Sequence, residues 1–205
     1  MRVRDSRPDA AVARVTAATR VLAAHEDASL DAMAAQIAAL RGARYMGCFG
    51  PADVAAGIHA YFVPDDTALK QLVEARQRGV EIEVIVPNHL TDVPIVRQGS
   101  RHFWGELLRA GVRIYEFQPT MYHPKILIVD GEWTSFGSAN FDERSLRLND
   151  EASLNVFGPD FTSTQIDIFE ADLERSREIS LAEWEARSLS EKITDWLAST
   201  LRSQL

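Results

Sequence analysis

Residues 123–151, HPKILIVDGEWTSFGSANFDERSLRLNDE, decide the fold of this chain. The run ILIV at 126–129 is apolar throughout and ends at Asp130 and Gly131, a pattern typical of a buried strand that enters a tight turn. A second short strand, from Trp133 to Gly137, is expected to return antiparallel. We therefore predict a β-hairpin here.

The polar residues at the ends of this hairpin form two pairs. Side chains two residues apart point to the same face of a strand, so His123 and Lys125 share a face, and Ser138 and Asn140 share one on the returning segment. Imidazole can attack phosphorus, an ammonium group can bind phosphate oxygens, and hydroxyl and amide groups can donate to charge that develops in the transition state. Together they favour phosphoryl or phosphatidyl transfer, and none of this chemistry needs a metal.

The spacing HxKxxxxDxxxxxxGSxN at residues 123–140 resembles the signature of the phospholipase D superfamily. The sequence that follows, NFDERSLRLNDEASLNV, is similar to the cardiolipin synthase branch. The resemblance extends from about residue 58 to the tail DLERSREISLAEWEARSL and corresponds to the C-terminal half of bacterial cardiolipin synthases. The residues before this stretch match weakly or not at all.

The resemblance implies a role for each residue of the motif. His123 is the nucleophile that forms a covalent phosphohistidine. Lys125 and Asn140 bind the substrate phosphate, and Ser138 supports them. Asp130 completes the catalytic motif, although its place beside the turn indicates a structural role in accepting backbone N–H groups. No metal and no organic cofactor is implied.

An acidic residue downstream of the motif also belongs to the family pattern, and Glu151 occupies its place. By resemblance Glu151 is catalytic, because its carboxylate would hold the imidazole of His123 in one tautomer and stabilise its cation. The neighbouring Asp150 is the alternative, but alternation along a strand at 151–157 would point it to the other face.

Strands alternate with helices ahead of the motif. Strands are predicted at 58–63, 80–86 and 112–117, with an amphipathic helix in each interval. This order predicts an α/β fold, a phospholipase D-like domain with a mixed, mostly parallel sheet flanked by helices.

The chain divides into three predicted segments: a helical flank at 1–56, the catalytic domain at 57–178 and amphipathic helices at 179–205. Ser180 and Glu183 fit a capping box in the last segment. The apolar side chains of that segment either pack on the domain, which we favour, or make a peripheral membrane contact. They are Trp184, Trp196, Leu197 and Leu201.

Composition limits the function classes. The net charge of −8 argues against nonspecific nucleic-acid binding, which usually needs a basic face. The single Cys48 cannot form an internal disulfide, and neither a membrane-spanning apolar run nor a secretory signal occurs. We therefore expect a cytoplasmic protein, or one peripheral on the inner membrane. Cardiolipin synthases commonly carry membrane-spanning helices before the catalytic region, and this sequence departs from that pattern.

Two further groups leave alternatives open. Tyr61 either lies where the family shapes its substrate cleft or is a core aromatic residue. Arg144, Arg147 and Asn149 either meet a lipid phosphate or belong to a solvated loop. The positions of these residues in the fold are expected to distinguish between the two alternatives in each case.

The superfamily uses two such motifs, with one histidine attacking phosphorus and the other protonating the leaving oxygen. Only His123 among the five histidines is followed by x-Lys, so a second motif has to come from a two-fold related copy or from a partner chain. The resemblance then implies a phosphatidyltransferase or phospholipase D acting on phospholipids such as phosphatidylglycerol. The alternatives are a homodimeric phosphodiesterase or endonuclease, and a catalytically inert half-protein.

Overall fold

The computed structural model of the chain describes residues 54–202. All but the last three residues of the predicted helical flank at 1–56 lie outside this range, so its helical character stays a prediction. Nine strands form within the described residues: β1 (Val54–His59), β2 (Phe62–Val63), β3 (Glu81–Pro87), β4 (Arg113–Phe117), β5 (Lys125–Val129), β6 (Trp133–Gly137), β7 (Phe141–Asp142), β8 (Ser153–Phe157) and β9 (Ser176–Ile179). Six helices form there: α1 (Asp66–Gln77), α2 (Pro94–Ala110), α3 (Glu143–Arg147), α4 (Pro159–Leu173), α5 (Leu181–Glu185) and α6 (Leu189–Ser199).

Seven strands form one mixed sheet in the order β8-β6-β5-β1-β3-β4-β9, and β2 pairs with β7 apart from it. Strands β1, β3 and β4 are parallel, because α1 and α2 cross over between them. The predicted hairpin β5–β6 adds antiparallel to β1 with β8 beyond it, and β9 is antiparallel to β4 at the other edge. The α/β fold class is confirmed, but the parallel part is limited to the three strands that helices connect.

The predicted strand at 58–63 is two strands in the structure. β1 ends at His59, and the chain leaves the large sheet before Phe62 pairs with Phe141. This break gives Tyr61 a place between the two sheets, where its carbonyl accepts the N–H of Phe141 at 3.0 Å. The change of direction at Tyr61 matters for the site described below.

The C-terminal part of the sheet also differs from the prediction. β8 begins at Ser153, so Asp150 and Glu151 lie before the strand and the alternation expected for them does not apply. The sequence pattern does not predict β9, which follows α4 and pairs with β4. β9 crosses the predicted boundary at 178/179 and joins the C-terminal segment to the sheet by backbone hydrogen bonds.

Apolar side chains fill both faces of the sheet. On one face α1 and α2 cover β3 and β4, and Leu72, Trp104 and Leu107 are buried there. On the other face α4 places Phe169 in a cluster with Ile85 of β3. Because β1, β3 and β4 are parallel, the loops at their carboxyl ends meet at one edge of the sheet. In α/β folds with helices on both faces, this edge is the usual place for a binding site.

Helices α5 and α6 pack against α2. The predicted capping box of Ser180 and Glu183 is confirmed at the start of α5. Trp184 packs on the domain, as favoured, and its Nε1–H donates to the carbonyl of Arg101 at 2.7 Å. The other three apolar side chains of this prediction are exposed instead: Trp196 (54%), Leu197 (53%) and Leu201 (44%). Within residues 54–202, no helix is long and apolar enough to cross a bilayer.

Candidate active site

His123 and Lys125 lie together where the chain enters β5. The carbonyl of Pro124, between them, accepts the N–H of Ala60, which ties this entry to the end of β1. The Lys125 ammonium lies 2.9 Å from Nδ1 and 3.3 Å from Nε2 of His123, and it also donates to the His123 carbonyl at 3.2 Å. The shared face expected from the sequence therefore brings the imidazole and the ammonium into direct contact.

A tyrosine and an aspartate from two other loops meet His123. The Tyr61 hydroxyl donates to Asp92 Oδ2 at 2.8 Å, and the same Asp92 oxygen lies 3.8 Å from His123 Nε2. The Tyr61 and His123 rings meet edge to face, with centroids 5.9 Å apart. Tyr61 therefore belongs to the cleft rather than to the core, and Asp92 is the carboxylate that contacts the imidazole.

The pKa values fix the direction of the Tyr61–Asp92 hydrogen bond. Burial raises the pKa of Tyr61 to about 12, and the hydrogen bond to Asp92 adds to this effect. For Asp92, partial burial raises the pKa, but the hydrogen bond from Tyr61 and the attraction to His123 outweigh it, so the net pKa is below the usual value. At neutral pH Tyr61 is consequently the donor and Asp92 an ionised acceptor.

Lys125 is a half-buried cation facing several carboxylates. Burial lowers its pKa, because desolvation disfavours the charged form, whereas Asp92, Asp142 and Glu151 act in the opposite direction. These three acidic groups come from three separate segments of the chain. The charge of Lys125 is therefore favoured by acidic groups from all three segments.

The Gly-Ser pair of the motif joins the end of β6 to the segment around Glu151. The N–H of Ser138 donates to the Ala152 carbonyl, and the N–H of Ala152 donates to Ser138 Oγ, both at 3.0 Å. A Cβ on Gly137 would lie 2.1 Å from the Ala152 carbonyl oxygen, so only glycine allows this approach. Through these two hydrogen bonds, Ser138 fixes the backbone next to Glu151.

Asn140 lies just before β7, beside Tyr61 in the two-stranded pairing. Its side chain is half-buried, and its Oδ1 is a buried atom with no hydrogen-bond partner among the described residues. Buried polar groups without a partner are uncommon, and a catalytic or binding role is one explanation for them. The location of Asn140 is therefore compatible with the phosphate-binding part expected of it.

Glu151 lies near Lys125 and not in direct contact with the imidazole. Its Oε1 accepts a hydrogen bond from Asn149 Nδ2 at 3.3 Å, and its charge acts on Lys125 and on Asp142. The structure shows no hydrogen bond between His123 and Glu151 among the described residues, so the catalytic role of Glu151 stays a prediction. Asn149 serves to hold Glu151.

Asp130 lies at the opposite end of β5 from His123. Pro124 and the five residues of β5 lie between them, and the strand alone spans roughly 17 Å at about 3.4 Å per residue. Asp130 and Gly131 both have positive φ, 53° and 67°, and the N–H of Glu132 closes the turn on the Val129 carbonyl at 3.1 Å. Asp130 therefore lies in the hairpin turn, which agrees with the structural role that its position in the sequence indicates, and a catalytic role for it stays a prediction.

Two acidic residues of the cluster were missed by the sequence analysis. Asp92 follows the carboxyl end of β3, where ligand-binding loops of α/β sheets lie, and that position was the available signal. Asp142 caps α3 by accepting the N–H of Ser145 at 2.7 Å, a pattern visible as Asp-x-x-Ser. Burial raises the pKa of Asp142, and its Oδ2 has no hydrogen-bond partner among the described residues.

Arg144 lies on α3, and Asn149 lies in the loop that follows this helix. Arg144 is exposed, and its carbonyl accepts the N–H groups of Leu148 and Asn149 at 2.9 and 3.0 Å. The side chain of Arg147 lies outside the described part. Asn149 therefore has a local partner in Glu151, while Arg144 points to solvent.

Comparison with known proteins supplies the family. The family model described as cardiolipin synthase, PLD-like domain, matches residues 53–173. The chain belongs to this family. Cardiolipin synthase A of Erwinia tasmaniensis is 40% identical over 137 residues, which are 67% of this chain and 28% of that protein. Minor cardiolipin synthase ClsB of Bacillus subtilis is 34% identical over 141 residues, which are 69% of this chain and 35% of that protein.

The fold of this phospholipase D-like domain is also found among solved structures. The phospholipase D family member Nuc from Salmonella typhimurium superposes with a TM-score of 0.53 at 19% identity, over 62% of this chain and 82% of that chain. This likeness supports the shared fold. The chain spans about a third of the length of the curated relatives it matches.

Proposed function

We propose that this phospholipase D-like domain is a cardiolipin synthase-like phosphatidyltransferase or phospholipase D that acts through a covalent phosphohistidine at His123. The observation that carries the proposal is the contact of the Lys125 ammonium with the His123 imidazole at 2.9 Å, at the edge where the loops meet. Family membership supports a phospholipid phosphodiester as substrate.

The chemistry divides into two displacements. His123 attacks phosphorus, a P–N bond forms, and the P–O bond to the leaving alcohol breaks. Lys125 and the amide of Asn140 bind the non-bridging oxygens, where charge develops in the transition state. An alcohol then attacks the phosphohistidine, restoring the imidazole and giving a new phosphodiester. Water in place of the alcohol gives hydrolysis.

A second histidine is needed for the proton transfers in this scheme. The leaving oxygen has to take up a proton, and the incoming alcohol or water has to give one up. His123 cannot carry out these proton transfers while it is bound to phosphorus. No other histidine of the chain is followed by x-Lys. We therefore propose that another subunit supplies the second motif, either a two-fold related copy or a partner chain.

The substrate we propose is phosphatidylglycerol-like, with the glycerol end of a second lipid as the acceptor. A domain that acts on lipids has to reach a membrane surface, and α6 presents apolar side chains at helical spacing to solvent. These are Leu189, Ile193, Trp196 and Leu197. They support a peripheral contact with the inner membrane through the C-terminal helices.

One experiment tests this function and its alternatives. Size-exclusion fractions of the full chain, with mass measured by light scattering, are assayed with EDTA on phosphatidylglycerol vesicles, on bis(p-nitrophenyl) phosphate and on DNA. We expect the wild-type chain to be an active dimer whose activity EDTA does not change. We expect His123→Ala to be inactive. Activity on the small diester and on DNA but not on lipid would favour the phosphodiesterase or endonuclease. An inactive monomer would contradict a self-sufficient enzyme and favour a partner chain or an inert half-protein.

A further inference from the structure

We propose that four arginine side chains on the α2 side of the sheet form a second binding site, which takes a phosphate group carried by free phosphate or by a small phosphomonoester. The arginines are Arg97, Arg101, Arg177 and Arg187. The described residues that line this site are different from those of the cleft around His123. The inference therefore goes beyond the proposed function and does not depend on it.

The site is a cavity of about 70 Å³ between α2, the strands β4 and β9, and α5 with the residues that follow it. Trp104, Ile179 and Trp184 form its apolar wall, and the charged side chains form the rest. A cavity needs only about 10–15 Å³ to hold one water molecule. This cavity therefore has room for a small oxyanion.

The lining of the cavity carries more positive than negative charge. Its four guanidinium groups face two carboxylates, those of Glu116 and Glu183. Burial lowers the pKa of Arg187, and the nearby charge of Arg101 acts in the same direction, while Asp195 opposes both effects. An anion in the cavity would relieve the repulsion between the guanidinium groups.

The two carboxylates of the lining already accept hydrogen bonds through each of their oxygens. Glu116 accepts from Arg97 through Oε1 and from Arg177, at 2.9 Å, through Oε2. Glu183 accepts from Arg177 at 2.9 Å through Oε1, and its Oε2 accepts the N–H of Ser180 at 3.0 Å. These carboxylates are therefore occupied by the groups that hold them in place.

Arg97 has a donor that lacks an acceptor. Its Nε is a buried atom with no hydrogen-bond partner among the described residues. Buried polar groups nearly always have a partner, and an ion is one explanation where the protein supplies none. The planar guanidinium group presents its N–H donors as a fork that matches the oxygens of a phosphate group. A phosphate oxygen is the acceptor that this arrangement lacks.

The guanidinium groups are held in position by the protein itself. Arg187 lies 4.0 Å from the ring of Trp184, and its Nε–H donates to the Trp184 carbonyl at 2.7 Å. Trp184 in turn donates to the carbonyl of Arg101 at 2.7 Å, and Arg97 forms a short ion pair with Glu116. Such an arrangement loses little conformational freedom when an anion binds.

Nitrogen-15 spectra of the arginine Nε–H groups test the inference directly. The full chain, labelled with ¹⁵N, is titrated with inorganic phosphate and, in parallel, with chloride at the same ionic strength. The Arg97 signal is assigned from its absence in Arg97→Lys. We expect phosphate, and not chloride, to shift the Arg97 signal along a saturable curve, because a phosphate oxygen becomes the acceptor of its Nε–H.

A second titration separates this site from the proposed function. Phosphate is also expected to bind at Lys125, so the experiment is repeated in Lys125→Met. The Arg97 shift and its Kd should stay at the wild-type values there. Loss of the Arg97 shift in Lys125→Met, or its absence in the wild-type chain, would overturn the proposal.

Variants of the arginines measure their contribution to binding, by calorimetry with phosphate in the Lys125→Met background. Arg97→Lys keeps a cation beside Glu116 and removes the fork, and Arg101→Gln leaves Asp195 paired with Arg187. We expect each to raise the Kd at least about tenfold. Either variant suffices if the other does not fold.

The matched control is Arg113→Gln, because Arg113 lies on β4, is also paired with two carboxylates and is not part of the cavity. It should bind phosphate with the unchanged Kd. An unchanged Kd in the folded cavity variants, or an equal loss in Arg113→Gln, would contradict the proposed site.

Two further titrants identify the ligand. Tighter binding of sn-glycerol 3-phosphate than of inorganic phosphate would identify a phosphomonoester as the ligand, and equal or weaker binding would identify the free ion. Acetate should bind at least about tenfold more weakly than phosphate, because it offers fewer oxygens and less charge to the guanidinium groups. Equal binding of acetate would contradict a site for phosphate.

Discussion

At the scale of the residue, the site consists of one imidazole between a cation and an anion. The Lys125 ammonium lies 2.9 Å from Nδ1 and 3.3 Å from Nε2 of His123, and Asp92 Oδ2 lies 3.8 Å from Nε2. Burial lowers the pKa of Lys125, while three carboxylates oppose that shift. Because neither neighbour duplicates the other, the loss of each is expected to have a different kinetic signature.

Removal of the Lys125 charge tests its part in phosphate binding. We expect Lys125→Met to lower kcat/KM about 100-fold or more, because a positioned donor to the developing charge is lost. Lys125→Arg keeps the charge and should lose less. The control is Lys70→Met, since Lys70 is an exposed lysine on α1 with 72% of its side chain accessible. Equal activity of the Lys125 and Lys70 variants would contradict the assignment.

A methyl group at Gly137 tests how closely β6 must approach the Glu151 segment. A Cβ there would lie 2.1 Å from a backbone oxygen, which cannot rotate away. We expect Gly137→Ala to lower the free energy of unfolding by about 1–3 kcal/mol and to reduce activity, both measured on the same preparation. Wild-type stability in urea would show that the contact is not tight.

At the scale of the element, the C-terminal helices are fixed to α2 through buried charge. The Asp195 side chain of α6 is only 2% exposed and lies between Arg101, at 3.7 Å, and Arg187, with which it forms a short ion pair. A buried carboxylate paired to two guanidinium groups specifies one docking position for the helix. Trp184 adds a cation–π contact, with Arg187 4.0 Å from its ring.

Loss of Asp195 is expected to be far more costly than loss of its exposed neighbour. Asp195→Ala leaves the 8% exposed Arg187 side chain without its carboxylate, and breaking such a buried pair costs about 3–5 kcal/mol. Arg101 also pairs with Glu191, and the Glu191 side chain is 47% exposed. Apart from the loss of its helix-capping contribution, Glu191→Ala should lower the free energy of unfolding by no more than about 1 kcal/mol. Urea unfolding of the two variants measures the difference. Equal free energies of unfolding would contradict a specific docking role for Asp195.

Local sequence patterns predict some of the strands and helices and miss others. The hairpin, the three strands connected by helices and the Ser180 capping box follow from periodicity and turn residues within short windows. The strand break at Tyr61 and the pairing of β9 with β4 depend on contacts between distant segments, which no local pattern contains. That is why 58–63 was predicted as one strand and β9 was not predicted.

At the scale of the whole molecule, the His123 side chain is 45% exposed, and we propose that a second subunit covers it. Sequence could identify His123, Lys125, Ser138 and Asn140 because the motif is contiguous and specific. Asp92 reaches His123 from a loop 31 positions earlier, and only the parallel sheet brings the two together. The sheet places Asp130 in the hairpin turn, where the Asp-Gly pair of the sequence already indicated it.

Mixing of subunits tests whether two copies of the chain share one site. Wild-type chain and His123→Ala are unfolded together at equal amounts, refolded and assayed at fixed total concentration. If each dimer needs two His123 residues, only about a quarter of the dimers are active, because random pairing leaves that fraction with two wild-type chains. Independent sites would instead retain about half of the activity, and that value would contradict a shared two-fold site.

The covalent intermediate is the central claim of this account, and acid-labile labelling measures it most directly. The dimer fraction is mixed with phospholipid carrying ³²P in the phosphodiester, quenched in alkali within the first turnovers, and digested for peptide mapping. We predict label on the peptide that contains His123, stable in alkali and lost in acid, and none in His123→Ala. Product formed without labelled protein, or label that persists in His123→Ala, would contradict it.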